Sequence, residues 1–232
     1  MRKLALLAAA SFAAMATPAL AQETVVYNGT TYNIGDTITI DYLAVNTPGA
    51  SGTLQLQFTG TSGLDYNFIW TLTNTSDSSQ GTGANIGSFG FNVTGGTIDA
   101  GTSTVSTDDP NGPGINLAVS GQNISGGNNK LDICFTGGAT CSGTSNEGPR
   151  VGEEFTGDLG MEFTSALPDS ITLTNPIIRF QNTVPTGSDI GTPGGTPPMP
   201  EPGTWALMLL GFGATGVAIR RSRRKGLLTQ IA

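Results

Sequence analysis

Between Val25 and Asn182 the chain alternates apolar and polar residues in short runs, and no long stretch places apolar residues at helical spacing. A period of two marks strands that bury one face and wet the other. In "GTLQLQFTG" this puts Leu54, Leu56 and Phe58 inward and Thr53, Gln55 and Gln57 toward water. In "DYNFIWTLT" the inner face falls to Tyr66, Phe68, Trp70 and Leu72. Further strands are expected in "DTITIDYLAV" from Asp36, "SFGFNV" from Ser88, "INLAV" from Ile115, "KLDICF" from Lys130, "EFTGDLGMEF" from Glu154, "SITL" from Ser170 and "IIRFQN" from Ile177. Segments such as "TGTSG", "SDSSQGTG" and "TDDPNGPG" separate them with residues that accept positive φ or seed turns.

About nine or ten such strands are better buried by two sheets packed face to face than by one open sheet, whose second face stays wet. The expected fold class is therefore all-β. A two-sheet β-sandwich over residues 22–182, jelly-roll-like or immunoglobulin-like, is the predicted architecture, with a small barrel as the alternative. No repeat of constant period runs through the chain, which argues against a β-solenoid.

Both ends differ from this body. Arg2 and Lys3 precede a continuous apolar stretch, Leu4 to Ala16, and Ala19, Leu20 and Ala21 supply a small-residue cleavage triplet. That order spells a signal peptide over residues 1–21, a helix cut by signal peptidase between Ala21 and Gln22. After Asn182, "TVPTGSDIGTPGGTPPMP" holds five prolines and four glycines in eighteen residues, and residues 183–199 read as a linker. Fifteen residues from Trp205 to Ile219 then run without a charge. As a helix they span about 22 Å against about 30 Å of hydrocarbon, short for a lasting anchor.

A transmembrane helix is accordingly expected over 204–219, with Trp205 at the outer interface. Arg220, Arg221, Arg223, Arg224 and Lys225 follow as a stop-transfer cluster that stays cytoplasmic, and residues 226–232 form a short tail. Within the apolar run "GFGATG", Gly211 to Gly216, fits G-x-G-x-x-G but lacks the strand, the βαβ unit and the downstream acid of a dinucleotide site. Small residues there instead let another helix approach closely.

Subtracting the ends sharpens the electrostatics. The whole chain carries a formal net charge of −7, yet only Lys130, Arg150 and Arg179 lie between Gln22 and Pro200, against sixteen acidic residues, a net charge of −13. Such a body repels phosphate backbones, so nucleic acid is not an expected partner. Cys134 and Cys141 are the whole thiol inventory. Export places them where disulfides persist, and they are expected to pair. Two thiolates without a histidine leave a tetrahedral metal site half empty. The bridge would close a loop of roughly eight residues, worth about 2.5 kcal/mol, and pin a local turn.

The chain has no histidine, which removes Ser-His-Asp and Cys-His nucleophile pairs and His-ligated zinc. Carboxylates remain: Asp108-Asp109, Glu153-Glu154, Asp158 and Glu162 offer the acid and base that glycoside hydrolysis needs. Neighbours on a strand point to opposite faces, so Glu153 and Glu154 make a poor pair, and catalysis is not expected. Asp108, Asp109 and Asn111 also gather oxygens suited to calcium, but a solvated turn explains the same letters, and neither metal nor cofactor is expected. Threonine pairs in "TIT" at Thr37 and "TLT" at Thr71 and Thr172 put hydroxyls on one strand face, where a flat lattice would meet ice or a sugar polymer. Threonine is equally a plain strand former, and no repeat announces an array.

The segment "PEPGTWALMLLGFGATGVAIRRSRRK" resembles the PEP-CTERM sorting signal of the PEPxxWA variety. Pro200, Glu201 and Pro202 match its tripeptide and Trp205 and Ala206 its pair, followed by a Gly-bearing apolar helix and the arginine cluster. The same segment is also labelled an ice-binding protein C-terminal domain, a name that does not make its bearers bind ice. The resemblance covers about 26 of the 232 residues. It implies recognition by a membrane-embedded exosortase, a relative of cysteine-type transpeptidases, that cuts near the tripeptide and passes the protein toward the cell surface or the exopolysaccharide layer. Length, the lone cysteine pair and this tail variety are similar to the subfamily called cistern. The expected function is that of an exported acidic surface or extracellular-matrix protein with a structural or interaction role. Two alternatives stand beside it: a carbohydrate-binding or glycoside-cleaving domain at the surface, and a permanently anchored periplasmic protein.

Overall fold

The computed structural model describes residues 22–81, 84–108, 114–124, 130–143 and 147–194. The chain divides into units of residues 1–192 and 193–232, and the described fold belongs almost wholly to the first. The expected signal helix over 1–21, the span over 204–219 and the tail 226–232 lie outside the described residues. Among the described residues no helix is long and apolar enough to cross a membrane.

The described elements are strands and one 3-10 turn. In chain order the strands are β1 (Thr24–Tyr27), β2 (Thr30–Tyr32), β3 (Thr37–Ala44), β4 (Ser51–Ser62), β5 (Asp65–Asn74) and β6 (Asn85–Thr94). Then come β7 (Thr104–Val105), β8 (Leu117–Val119), β9 (Gln122–Asn123), β10 (Lys130–Leu131) and β11 (Ile133–Thr136). The last three are β12 (Glu154–Glu162), β13 (Ser170–Thr183) and β14 (Gly187–Pro193).

Alternation does what the sequence predicts. In the antiparallel register Leu54 faces Ile40 and Leu72, Leu56 faces Ile38 and Trp70, and Phe58 faces Phe68, all of them buried. Successive side chains on a strand leave by opposite faces, so Thr53, Gln55 and Gln57 take the other side.

One hydrogen-bonded path runs β7-β12-β5-β4-β3-β14-β13-β6-β11-β8, with β1 added beside β13 and β2 beside β1. Trp70 on β5 nevertheless packs against Phe89 on β6, ring centroids 5.4 Å apart, although four strands separate β5 from β6 in the path. The sheet must therefore roll until its two halves face each other. The two facing walls of the expected sandwich are present, but they are joined through β14 into a single barrel-like sheet.

β14 lies inside the stretch read above as linker. Its two glycines and closing proline hide it from pattern reading, yet Gly191 has a place in the sheet. A Cβ on Gly191 would come within 2.7 Å of Phe180 Cε2 and 2.8 Å of Ile178 Cγ1, so the neighbouring core fills the space that a side chain would need. Asp189 then ties β14 to the end of β3. Its buried carboxylate accepts the Asn46 backbone N–H at 2.6 Å, the Asn46 amide at 3.1 Å and the Ile190 N–H at 2.8 Å. Burial pushes this carboxyl up, but the Asn46, Ile190 and Thr47 hydrogen bonds outweigh it and hold Asp189 below the usual carboxylate range.

The core is keyed by one polar contact. Trp70 is fully buried and its indole N–H donates to Ser106 O at 3.0 Å. Gly157 on β12 sits opposite Trp70, and a Cβ there would collide with that same Ser106 carbonyl. The missing side chain lets the carbonyl reach over the strand and satisfy a donor that burial would otherwise orphan.

Gly157→Ala is expected to displace the Ser106 carbonyl and destabilise the protein by about 1–3 kcal/mol, the cost of an orphaned buried donor. Thr59→Ala on the exposed side of β4 should stay within about 0.5 kcal/mol in the same urea titration. For Asp189 the sign follows from its lowered pKa: the stabilisation is present above the unfolded carboxyl value and is lost as pH falls through the depressed native one. Asp189→Asn should lower the urea midpoint at neutral pH. That difference should shrink below about pH 4, where the unfolded wild-type carboxyl also binds its proton.

Candidate functional site

Three of the six acidic residues singled out from the sequence, Asp108, Glu153 and Glu154, come together. Asp108, Glu153, Glu154 and Phe155 line one open cavity of about 330 Å³. Backbone pairing brings them together: the Asp108 N–H donates to Thr156 O at 2.9 Å, and Asp108 Oδ1 accepts the Thr156 N–H at 2.8 Å. Glu153 Oε2 accepts the Arg150 N–H at 3.0 Å, and Glu154 Oε2 accepts the Thr73 hydroxyl at 2.8 Å. Each carboxylate is thus tied to donors of the protein itself. Asp109 and Asn111 lie outside the described residues, and among those described no group of three His, Cys, Asp or Glu side chains is placed to hold a metal ion.

The other two candidates stand apart from this cavity on the outer side of β12. Glu162 lies four residues beyond Asp158, about 13 Å along an extended strand, and directly opposite Asp65 of β5. Burial, and then the Glu162 charge, raise the Asp65 carboxyl above its ordinary range. A raised acid destabilises the folded state wherever it is ionised. Asp65→Asn is therefore expected to increase the urea midpoint near pH 7, an advantage that disappears in acid once Asp65 is protonated.

A second cavity, of about 380 Å³, opens between the end of β6 and the β9–β10 hairpin and is lined by Val93, Ile98, Thr97, Lys130 and Asp132 among others. Asp132, hidden inside the strand-like word "KLDICF", separates β10 from β11. Its Oδ2 accepts the Val93 N–H at 2.8 Å, while its own N–H donates to Asn92 Oδ1 at 3.0 Å. Nothing in the alternation foretells this clamp, because both partners are distant in sequence.

The residues of the sorting segment, Pro200, Glu201, Pro202, Trp205, Ala206 and the basic cluster Arg220, Arg221, Arg223, Arg224 and Lys225, lie outside the described residues, as do Ala19 and Ala21. Gln22 opens the described chain and is exposed. Comparison with protein families matches residues 200–224 to the PEP-CTERM protein-sorting motif. The chain carries a PEP-CTERM sorting signal. That motif implies an exported protein processed by an exosortase. No curated protein and no solved structure matches the chain.

In this PEP-CTERM chain Cys134 and Cys141 form a disulfide, with a Cα–Cα distance of 5.9 Å. Besides closing the expected short loop, the bridge is part of a packed cluster. Cys134 leaves β11 on the outer face, and with Cys141, Ile124, Leu131 and Ile177 it builds a small second core there. The loop it closes is fastened to the sheet by the Ser88 hydroxyl, which donates to Cys141 O at 2.7 Å, and by the Gln181 amide, which donates to Ser142 O. Arg179 completes the layer, donating to Ile124 O at 2.7 Å and to the Ser188 hydroxyl at 3.1 Å. Burial lowers its pKa, and the nearby Asp189 charge opposes that. Cys134→Ser with Cys141→Ser is expected to cost about 2.5 kcal/mol of stability from loop entropy alone. Trypsin should then cut first after Lys130, at the edge of the loosened layer, which limited proteolysis followed by mass analysis will show.

Proposed function

We propose that this protein is an exported acidic component of the cell surface or the surrounding matrix, delivered by its C-terminal signal and acting there as a structural or interaction module without catalysis. The match of the PEP-CTERM motif to residues 200–224 carries the reading. Three further observations support it. The N-terminal charge, apolar block and cleavage triplet have the order of an export signal. The disulfide suits an oxidising compartment. The apolar run from Trp205 to Ile219 is too short for secure anchoring, as a temporary membrane stage requires. Signal peptidase and an exosortase are the processing partners, and exopolysaccharide is the surrounding in which the body ends.

Replacing Pro200, Glu201 and Pro202 with alanine should leave the chain uncut in the cytoplasmic membrane, read by cell fractionation and immunoblot, while the unaltered chain reaches the outside. Release of both chains alike would contradict the proposal. The carboxylate cavity supplies the test of non-catalysis. A screen of polysaccharide hydrolysis should show no turnover, and turnover that Asp108→Asn or Glu154→Gln abolishes would replace this reading by a glycoside-cleaving one.

A further inference from the structure

The two walls of the sheet treat their outer faces differently. The β13–β6–β11 wall is covered on its outside by the β9–β10 hairpin and the disulfide loop, which bury Ile124, Leu131, Cys141 and Ile177. The β3–β4–β5–β12 wall has a polar outer face. Its register aligns three rows of four side chains, one from each strand: Thr39–Gln55–Thr71–Thr156, Asp41–Thr53–Thr73–Glu154 and Thr37–Gln57–Ile69–Asp158. All twelve positions are exposed or half-buried. Neighbours within a row stand about 4.8 Å apart and the rows about 6.7 Å apart, the spacings of any pleated sheet. The array was invisible in the linear sequence because its periodicity runs across strands.

We propose that this face is a docking surface for a neutral, hydroxyl-rich polysaccharide chain. The proposal rests on delivery of the body outside the cell and names the partner met there. Chemistry selects the ligand. The carboxylates of Asp41, Glu154 and Asp158 only accept hydrogen bonds, while the Gln55 and Gln57 amides and the threonine hydroxyls both donate and accept. Such a surface complements a polymer whose groups are hydroxyls. No lysine or arginine stands in the rows, and the body carries a net charge of −13, so a polyanion is repelled. Ile69, 41% exposed in the third row, offers an apolar spot for the C–H face of a sugar ring.

The face is also pre-set. The Thr53 hydroxyl donates to Asp41 Oδ1 at 2.8 Å, Thr73 to Glu154 Oε2 at 2.8 Å, and Thr71 to the Thr156 hydroxyl at 3.3 Å. Thr156 passes the chain on to Trp70 O at 2.8 Å. Side chains already held in one rotamer lose less freedom when a ligand arrives. An ice surface is the poorer match, because carboxylates and amides interrupt what would need to be an unbroken hydroxyl lattice.

The test is retention of the purified full-length chain, in detergent, by native gels cast with hydroxyethylcellulose, mixed-linkage β-glucan or dextran, with alginate as the polyanion. At least one neutral polymer should retard the chain and alginate should not. Gln55→Lys with Thr71→Lys should weaken retention by about tenfold or more, while Gln55→Asn with Thr71→Ser stays within about threefold of the wild type. Thr174→Lys, exposed on β13, should change nothing. If the lysine pair lowers the urea midpoint, Gln55→Ala with Gln57→Ala takes its place and should weaken retention similarly. Absence of retention by every neutral polymer, equal retention by alginate, or retention indifferent to both face variants overturns the proposal. So does ice-growth inhibition that the face variants abolish while no polymer binds. Secretion is scored separately by release from cells, so a released chain that binds no polymer sinks the docking surface and leaves the export reading standing.

Discussion

A buried tryptophan whose N–H has a partner is the condition on which this fold depends. Trp70 lies at the meeting of the two walls, packed against Phe89, and its indole nitrogen reaches Ser106 O only because Gly157 has no side chain in the way. In a rolled sheet the large inner residues decide whether the walls close. A tryptophan brings more area than any other side chain, but it also brings a donor that is costly when left unmet. Placing the glycine of β12 opposite it and a carbonyl above it solves both requirements. The same residue anchors the outside as well, since the backbone carbonyl of Trp70 receives the Thr156 hydroxyl from the polar face.

The second requirement is continuity. Two separate sheets would leave edges along β3 and β13, and exposed edges invite pairing with other chains. β14 fills that seam, with Asp189 fixing it to the end of β3 and Gly191 yielding its space to Phe180 and Ile178. A strand reading Gly-Ser-Asp-Ile-Gly-Thr-Pro does not look like a strand in isolation. It acts as one because its neighbours supply the burial that its own side chains do not.

That contrast explains how much of the molecule was legible beforehand. β4 and β5 declare themselves, because their inner residues alternate strictly and are large: Leu54, Leu56, Phe58, Tyr66, Phe68, Trp70 and Leu72 are all buried as the period of two requires. Strands of two to four residues, such as β7, β9 and β10, are too short to show a period, and β14 is hidden by its composition. The cysteine pairing followed from compartment and count, but the satellite core around it did not, since Ile177 is brought to Ile124 and Leu131 from β13, far along the chain. Among the acidic residues, Asp108 and Glu154 met in one cavity for a reason that only register reveals. The sorting signal was legible by its motif, a linear code of residue types that needs no folded context.

Taken together, the chain is a rolled sheet stabilised from within by aromatic packing, sealed on one wall by a disulfide-bound layer and left polar on the other, with a delivery signal at its end. The most direct check is the intact mass, under non-reducing conditions, of the protein recovered from outside the cells. A chain that begins at Gln22, lacks Trp205 to Ala232 and has Cys134 and Cys141 oxidised is the predicted result. A mass corresponding to the unprocessed chain with both thiols free would contradict it.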